Sequence, residues 1–536
     1  MLFRLAGALL LATSLARGEI RFQDLAAPAG LEFTLENAPT AAKHLPETMA
    51  GGVAAFDYDG DGLVDIFFTN GAAMPSLVKE GARYRNRLFK NLGNWRFRDV
   101  TNEAGLAGAG YSMAASAADF DNDGHADLFV AGVRHNILYR NRGNGTFEDV
   151  TATAGIGSAE WSVGGAWFDF DGDGLLDLFV VNYVEWTPAF DQFCGDAARH
   201  IRVYCHPKLF KGSANRLYRN LGHGRFADVS VESGIAAHIG KGMAAAVADY
   251  DGDGLPDLVV TNDKRPNFLF HNLGHGRFEE VAFAAGVALV DTGTEMSAMG
   301  ADFRDVDNNG LPDIAATALA GETFPLFRNL GKGSFADAGF ASKLGVLSRL
   351  FSGWGIGLYD FDNDGWKDIF TANSHVSDRV EAFEATAYLQ NNTVFRNKGD
   401  GRFEDASKFS GQTPRAHRGC AFADFDRDGR IDVVTSSLGA GPELWANQST
   451  PDHTWLVLKL TGVKSNRDAI GAVIRIGDQT NHVTTSVGYA SSSQLGVHFG
   501  LAQRQEVEQM EIRWPSGVRQ TLRNVKANQI LPVTER

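Results

Sequence analysis

The stretch DFDNDGHAD, residues 119–127, sets four carboxylates within nine positions. Like charges this close repel unless a cation sits among them. The same pattern, D-x-[DN]-x-[DN]-G-x-x-D, starts again at Asp57, Asp169, Asp249, Asp305, Asp360 and Asp424, so the chain holds seven copies. Small apolar residues such as GGVAAF or MAAAVA precede each loop, and a β-rich run such as DIFFTN or DLFVVN follows it. The reading is strand, tight loop, strand. A second block recurs downstream, as in RLFKNLGNWRFRDVT at 87–101 and RLYRNLGHGRFADVS at 216–230, and reads as a hairpin around a glycine-rich turn. One repeat is therefore four strands in about 60 residues, the unit of a β-propeller blade. The seventh hairpin block, ELWANQ at 443–448, lacks its last strand, and RFQDLAAPAGL at 21–31 matches the missing piece. The expected fold is all-β, a seven-bladed β-propeller over residues 19–450 closed by an N-terminal strand, followed by a small β-rich C-terminal domain over 451–536.

The loops present hard oxygen ligands at positions 1, 3, 5 and 9, with glycine at position 6 for the sharp turn. The candidate ligands are Asp57, Asp59, Asp61 and Asp65; Asp119, Asp121, Asp123 and Asp127; Asp169, Asp171, Asp173 and Asp177; and Asp249, Asp251, Asp253 and Asp257. The last three loops supply Asp305, Asp307, Asn309 and Asp313; Asp360, Asp362, Asp364 and Asp368; and Asp424, Asp426, Asp428 and Asp432. Oxygen donors with adaptable geometry favour Ca²⁺ over Zn²⁺ or Cu²⁺. An EF-hand needs an acid at position 12, where these loops have Phe68, Val130, Val180, Val260, Ala316, Thr371 and Thr435. Hydrogen-bonded Asx turns without an ion would explain one such loop; seven loops with 27 aspartates point to up to seven structural calcium ions. The formal net charge of −15 becomes −17 when Arg4 and Arg17 leave with a signal peptide, and seven divalent ions would bring it to −3.

Residues 1–18 combine a basic residue, the apolar run from Leu5 to Leu15 and small residues at Ala16 and Gly18, the pattern of a secretory signal peptide. No other stretch approaches the length of a membrane span. Export makes a disulfide between Cys194 and Cys205 the expected pairing, stapling one insertion, while Cys420 in RGCAFADFD reads as a buried small hydrophobe.

These residues resemble the FG-GAP (VCBS-type) repeats of integrin α-subunit propellers. The segment from 451 to 536, with WLVLKLTGVKSNRDAIGAVIRI, GYASSSQLGVHFGLA and WPSGVRQTLRNVKANQ, resembles the ASPIC and UnbV domain of the cartilage acidic protein family. The resemblance implies calcium in the loops and leaves the ligand open. Asn466, Arg467, Trp514 and Pro515 within it serve as turns or as a site, and turns are the simpler reading.

In a four-stranded blade the Asp loops share one face, and the insertions 70–87, 182–215 and 374–392, joined by the entry 32–48, share the other. Variable loops on a rigid scaffold are where recognition resides. The expected function is a secreted calcium-binding module for binding or adhesion to an extracellular glycan or protein. Tyr183, Trp186, Phe190, Tyr204 and Phe210 suit such a ligand, or pack their loop. An acidic chain without a basic stripe excludes nucleic acid. The alternative is an extracellular enzyme acting on polysaccharide, with its site in the propeller channel, where Glu47 and Glu295 would pair. No G-x-S-x-G, H-E-x-x-H or phosphate loop supports catalysis.

Overall fold

The computed structural model describes residues 19–190, 192–450 and 452–536; the expected signal peptide lies outside them. The repeat folds as an antiparallel meander. In the second repeat Tyr111–Ala118, Asp127–Val133, Ile137–Asn141 and Phe147–Asp149 pair in that order. Five other repeats form the same four-stranded sheet, starting at Val53–Phe56, Ser162–Phe168, Gly242–Ala248, Ala301–Arg304 and Gly353–Tyr359. Second strands such as Asp177–Asn182 are buried along their whole length, because each sheet packs both faces on its neighbours. The architecture is that of a propeller.

The last sheet is completed from the other end of the chain. His417–Ala423, Asp432–Ser437 and Glu443–Asn447 are joined by Phe22–Asp24, which runs antiparallel to the third strand with Phe22 opposite Asn447 and Asp24 opposite Trp445. A short strand, Phe409–Ser410, adds outside it in parallel. First strands of consecutive sheets lie side by side, and the last, His417–Ala423, lies against the first, Val53–Phe56.

A repeated asparagine ties the sheets together. At the end of each third strand its Nδ2 donates to the carbonyl of the second loop residue in the preceding sheet: Asn141 to Tyr58, Asn220 to Phe120, Asn272 to Phe170, Asn329 to Tyr250, Asn397 to Val306 and Asn447 to Phe361. Asn91 closes the series by reaching Phe425 of the last sheet, 3.0 Å away. These donors are buried, and removing one leaves carbonyls unpaired. Asn141→Ala, which also loses the bond to Ala126 O, is expected to cost about 2–3 kcal/mol in urea unfolding, against less than about 0.5 kcal/mol for Asn144→Ala on the exposed turn nearby. Equal midpoints for the two would remove the tie from the account.

The C-terminal segment forms a three-stranded sheet from Thr454–Thr461, Val497–Ala502 and Gln529–Thr534, and a four-stranded one from Val473–Ile476, Gln479–His482, Glu506–Arg513 and Arg519–Lys526. Between them the chain from 482 to 494 leaves this module and runs as a hairpin among the first strands of the ring. Ser492 N donates to Val53 O at 2.8 Å and Ala55 N to Ser492 O at 2.9 Å; Ala115 N donates to Ala490 O, Gly488 N to Ala301 O, and Gln494 N to Phe422 O. Tyr489 at the tip donates its hydroxyl to Met49 O at 2.7 Å and sets its ring edge-on to Trp354. The small residues of the first strands make room for this hairpin. A Cβ on Gly52 would stand 2.5 Å from Ala490 O, and one on Gly419 2.5 Å from Ser491 Oγ.

Candidate metal loops and the cavity on the opposite face

Each Asp loop is a tight turn held by its own carboxylates. Position 6 is glycine because the backbone there is left-handed in all seven copies, from φ +83° at Gly429 to φ +102° at Gly254. Its N–H donates to the position 1 aspartate, for example Gly124 N to Asp119 Oδ2 at 2.7 Å and Gly365 N to Asp360 Oδ2 at 2.7 Å. The position 5 side chain accepts from the N–H of position 7, as Asp173 does from Leu175 at 2.9 Å and Asn309 from Leu311 at 2.8 Å. The position 9 aspartates are more committed. Asp65 takes Tyr58 N on one oxygen and Asn91 N on the other, and Asp127, Asp177, Asp257, Asp313, Asp368 and Asp432 repeat both bonds.

Position 3 differs. Asp59 Oδ1, Asp121 Oδ1, Asp171 Oδ1 and Asp362 Oδ1 are buried without a hydrogen-bond donor. Buried, unpartnered carboxylate oxygens are costly and fit a cation. Carboxylate oxygens converge within 4.8 Å of one another at Asp57, Asp59 and Asp61, at Asp119, Asp121 and Asp127, at Asp169, Asp171 and Asp177, and at Asp249, Asp251 and Asp257. A third-strand cation flanks five loops: Lys90 beside Asp59, Arg140 at 2.7 Å from Asp121, Arg219 at 2.7 Å from Asp171, Arg328 at 2.5 Å from Asp307 and Arg396 at 2.6 Å from Asp362; His271 stands in the same place 3.7 Å from Asp251. One such charge does not balance three or four carboxylates. Burial accordingly pushes Asp65 up to about 8, Asp119 to about 7, Asp257 to about 9 and Asp424 to about 7. The clusters are thus suited to a hard divalent ion.

The C-terminal module is seated on these loops. Arg513 pairs with Asp249, Lys459 lies 3.8 Å from Asp57, and Asp119 N donates to Asp468 Oδ2 at 2.7 Å. Residues 452–536 carry ten Lys and Arg against seven Asp and Glu, opposite in sign to the acidic loops. Two buried histidines of the module face ring carbonyls, His482 Nε2 at 3.0 Å from Val247 O and His498 Nε2 at 3.1 Å from Gly429 O. Burial holds them at about 3 and about 4, below the ordinary 6.5. The unfolded chain therefore takes up protons first as pH falls below about 6.5, and stability is lost through that window, by about 2 kcal/mol per histidine between pH 7 and 5. Thermal midpoints at saturating calcium should fall less steeply with acid for His482→Gln than for the parent; identical slopes would contradict the assignment.

At the other ends of the strands lies a cavity of about 700 Å³. Its walls come from the entry helix turn Leu45–Thr48, the disulfide-closed insertion, and the segments after the second strands of the fourth, fifth and sixth sheets. Met49, Met243, Met299 and Trp354 form an apolar floor, each no more than 3% exposed, and the Tyr489 ring supports Trp354 from the channel side. The polar groups are few. Tyr183 donates to Asp263 Oδ2 at 2.6 Å, Lys264 pairs with Glu322, and Ser297 N donates to Glu322 Oε2 at 2.7 Å.

The expected disulfide joins Cys194 to Cys205, and Cys420 is buried and free. Of the insertion aromatics, Tyr183 and Tyr204 line the cavity, whereas Trp186 and Phe210 are buried and Phe190 packs on Phe210 at 4.5 Å. The loop-packing reading holds for those three. Glu47 and Glu295 form no pair. Glu47 is fully buried, accepting from Thr40 N and Oγ1, His44 N and Tyr204 OH, while Glu295 is exposed. The channel where they would have met is filled by residues 482–494. Asn466 bonds Ile470 N and O, and Trp514 is buried against Gln520, so both serve turns. The ring-tying asparagines and the channel hairpin are not among the expected features; the Asn that recurs at the end of all seven third strands is the signal in the sequence for the first.

Among known families, the FG-GAP-like repeat matches residues 57–130, 119–180, 209–260, 249–316, 305–371 and 379–435, and ASPIC and UnbV matches 462–536. Human cartilage acidic protein 1 is 25% identical over 319 residues, covering 58% of this chain and 46% of that one; the Xenopus tropicalis protein is 26% identical over 311 residues, covering 54% and 44%. The match thus spans less than half the length of these relatives. Integrin alpha-4 of Xenopus laevis is 29% identical over 148 residues, 24% of this chain and 14% of that one. An Agrocybe aegerita lectin solved for recognition of non-reducing terminal N-acetylglucosamine aligns over 73% of this chain and 87% of its own at 17% identity with a TM-score of 0.41, too loose to bear on ligand. With its repeats covering well over half of the residues and the C-terminal module accounted for, the chain belongs to the FG-GAP-like repeat proteins that carry an ASPIC and UnbV domain.

Proposed function

We propose that this is a secreted, calcium-stabilised seven-bladed propeller, residues 19–450, whose ASPIC and UnbV domain, 451–536, caps the calcium face and whose opposite face binds an extracellular glycan or protein. The observation that carries this reading is the asymmetry of the two faces. On one, the acidic loops lie under a module of opposite charge that also fills the channel. On the other, a deep, mostly apolar cavity with a few convergent polar groups is open to solvent, the usual form of a binding site. The disulfide in the insertion that walls this cavity supports an oxidising compartment, and among the described residues no helix is long and apolar enough to cross a membrane. Calcium belongs to the scaffold. The side chains at positions 1, 3, 5 and 9 supply the ligands in each loop, all Asp except Asn309, with the donor-free oxygens of position 3 the most available.

Glycan and matrix-protein arrays probed with the parent, with Met299→Trp in the cavity floor, and with Arg523→Glu on the exposed C-terminal sheet test the assignment of the face. Binding lost with Met299→Trp and kept with Arg523→Glu is expected. Loss with Arg523→Glu alone would place recognition on the C-terminal module.

A further inference from the structure

The cavity on the insertion face has an uneven charge. Its lining carries the carboxylates Asp263, Glu322 and Glu384 against one ammonium, Lys264, and Glu322 already neutralises that ammonium. The two lining histidines add no positive charge. His206 Nδ1 accepts from Lys208 N and His375 Nδ1 from Ser377 N, both at 3.1 Å, and burial lowers both from the ordinary value, so each is neutral at pH 7. Lys241, behind the wall, gives its ammonium to Pro207 O at 2.8 Å. Asp263 is left with the Tyr183 hydroxyl as its side-chain donor and, among the described residues, no Lys or Arg within ion-pair distance. A half-buried carboxylate beside an apolar floor, without a counter-ion, is a poor arrangement for an empty cavity and a good one for a cationic ligand.

Resting on the reading of this face as the binding face, we infer that the cavity takes an organic cation with an apolar body, an ammonium or guanidinium group on Asp263 and the body on Met243, Met299 and Trp354. Methionine suits this role because its unbranched thioether adapts to an irregular apolar partner. Trp354 already carries the buried Arg418 guanidinium 4.0 Å from its ring centre, so at the floor it offers the ligand's body apolar contact and leaves the cation to Asp263.

Three compounds with one apolar body and different heads test this: phenylbutylamine, phenylbutanol and phenylbutyrate, titrated calorimetrically into the calcium-loaded full chain at neutral pH. The amine should bind at least about tenfold tighter than the alcohol, with the carboxylate weakest. Asp263→Asn should bring the amine down to the alcohol and leave the alcohol unchanged, while Tyr183→Phe, which keeps the carboxylate, should preserve the preference. Equal binding of amine and alcohol by the parent overturns the cation inference and leaves the binding face standing. Failure of all three to bind also overturns it, and the array comparison of Met299→Trp with Arg523→Glu then decides the face separately. Because the parent series alone fixes the sign, a variant that does not fold leaves the test intact.

Discussion

Chelation with excess EDTA is expected to lower the thermal unfolding midpoint of this protein by about 10 °C or more relative to the same protein in millimolar Ca²⁺. The reason is local and repeated. One position 3 oxygen each of Asp59, Asp121, Asp171 and Asp362 is buried without a donor, and burial raises the acids around them, Asp65 to about 8 and Asp169 to about 6. Without a cation these carboxylates must either repel or protonate. With a Kd of roughly 0.1 mM at about 1 mM Ca²⁺, each site contributes about 1.4 kcal/mol by linkage, so seven contribute on the order of 10 kcal/mol, comparable with the whole stability of a domain. Mg²⁺ at the same concentration should restore less, because it demands a tighter octahedral shell than these loops offer. Calorimetric midpoints that do not move with EDTA would return the loops to ordinary hydrogen-bonded turns.

Tyr489→Ala is the substitution with the largest expected cost. The ring lies fully buried at the tip of the channel hairpin, edge-on to Trp354 with centroids 5.0 Å apart, and its hydroxyl holds Met49 O. Truncation removes an aromatic side chain from the centre of the ring and opens the floor of the opposite cavity, at a cost of about 3–5 kcal/mol. Tyr489→Phe keeps the packing and loses one hydrogen bond, about 1 kcal/mol. The alanine variant should also release the C-terminal module to limited proteolysis more readily, since the hairpin anchors it among the first strands. Urea midpoints for the alanine and phenylalanine variants that coincide would show that the hairpin tip does not secure the ring.

What the amino-acid sequence revealed was what repeats. The Asp loops, the hairpin blocks and the N-terminal strand are each marked by recurring residues, and Phe22 stands opposite Asn447, as expected if 21–31 supplies the strand missing from the seventh block. The hairpin at 482–494 occurs once, and VTTSVGYASSSQ has the composition of an exposed polar loop. Its burial depends on partners 71 to 438 residues away: Ser491, Ser492 and Ser493 hydroxyls accept N–H groups of Val53, Ala117 and Phe422. The position 9 aspartates carry a second duty that periodicity does not show. Asp127 accepts from Phe120 N and Asn141 N while its carboxylate stays within 4.8 Å of those of Asp119 and Asp121. Position 1 is alike, since Asp119 accepts from Asp123 N and Gly124 N, so the same side chains fix the turn and face the candidate ion. The small residues before each Asp loop repeat too, but their repetition does not show that Gly52 and Gly419 leave space for a segment of the same chain.

Elemental analysis of the protein after gel filtration through calcium-free buffer, and again after equilibration in millimolar Ca²⁺, counts the ions held by the acidic loops. Calcium should rise towards one ion per Asp loop, seven in all, with an Asp362→Asn variant short by one. A chain that carries no calcium under either condition would show that the loops are ion-free turns.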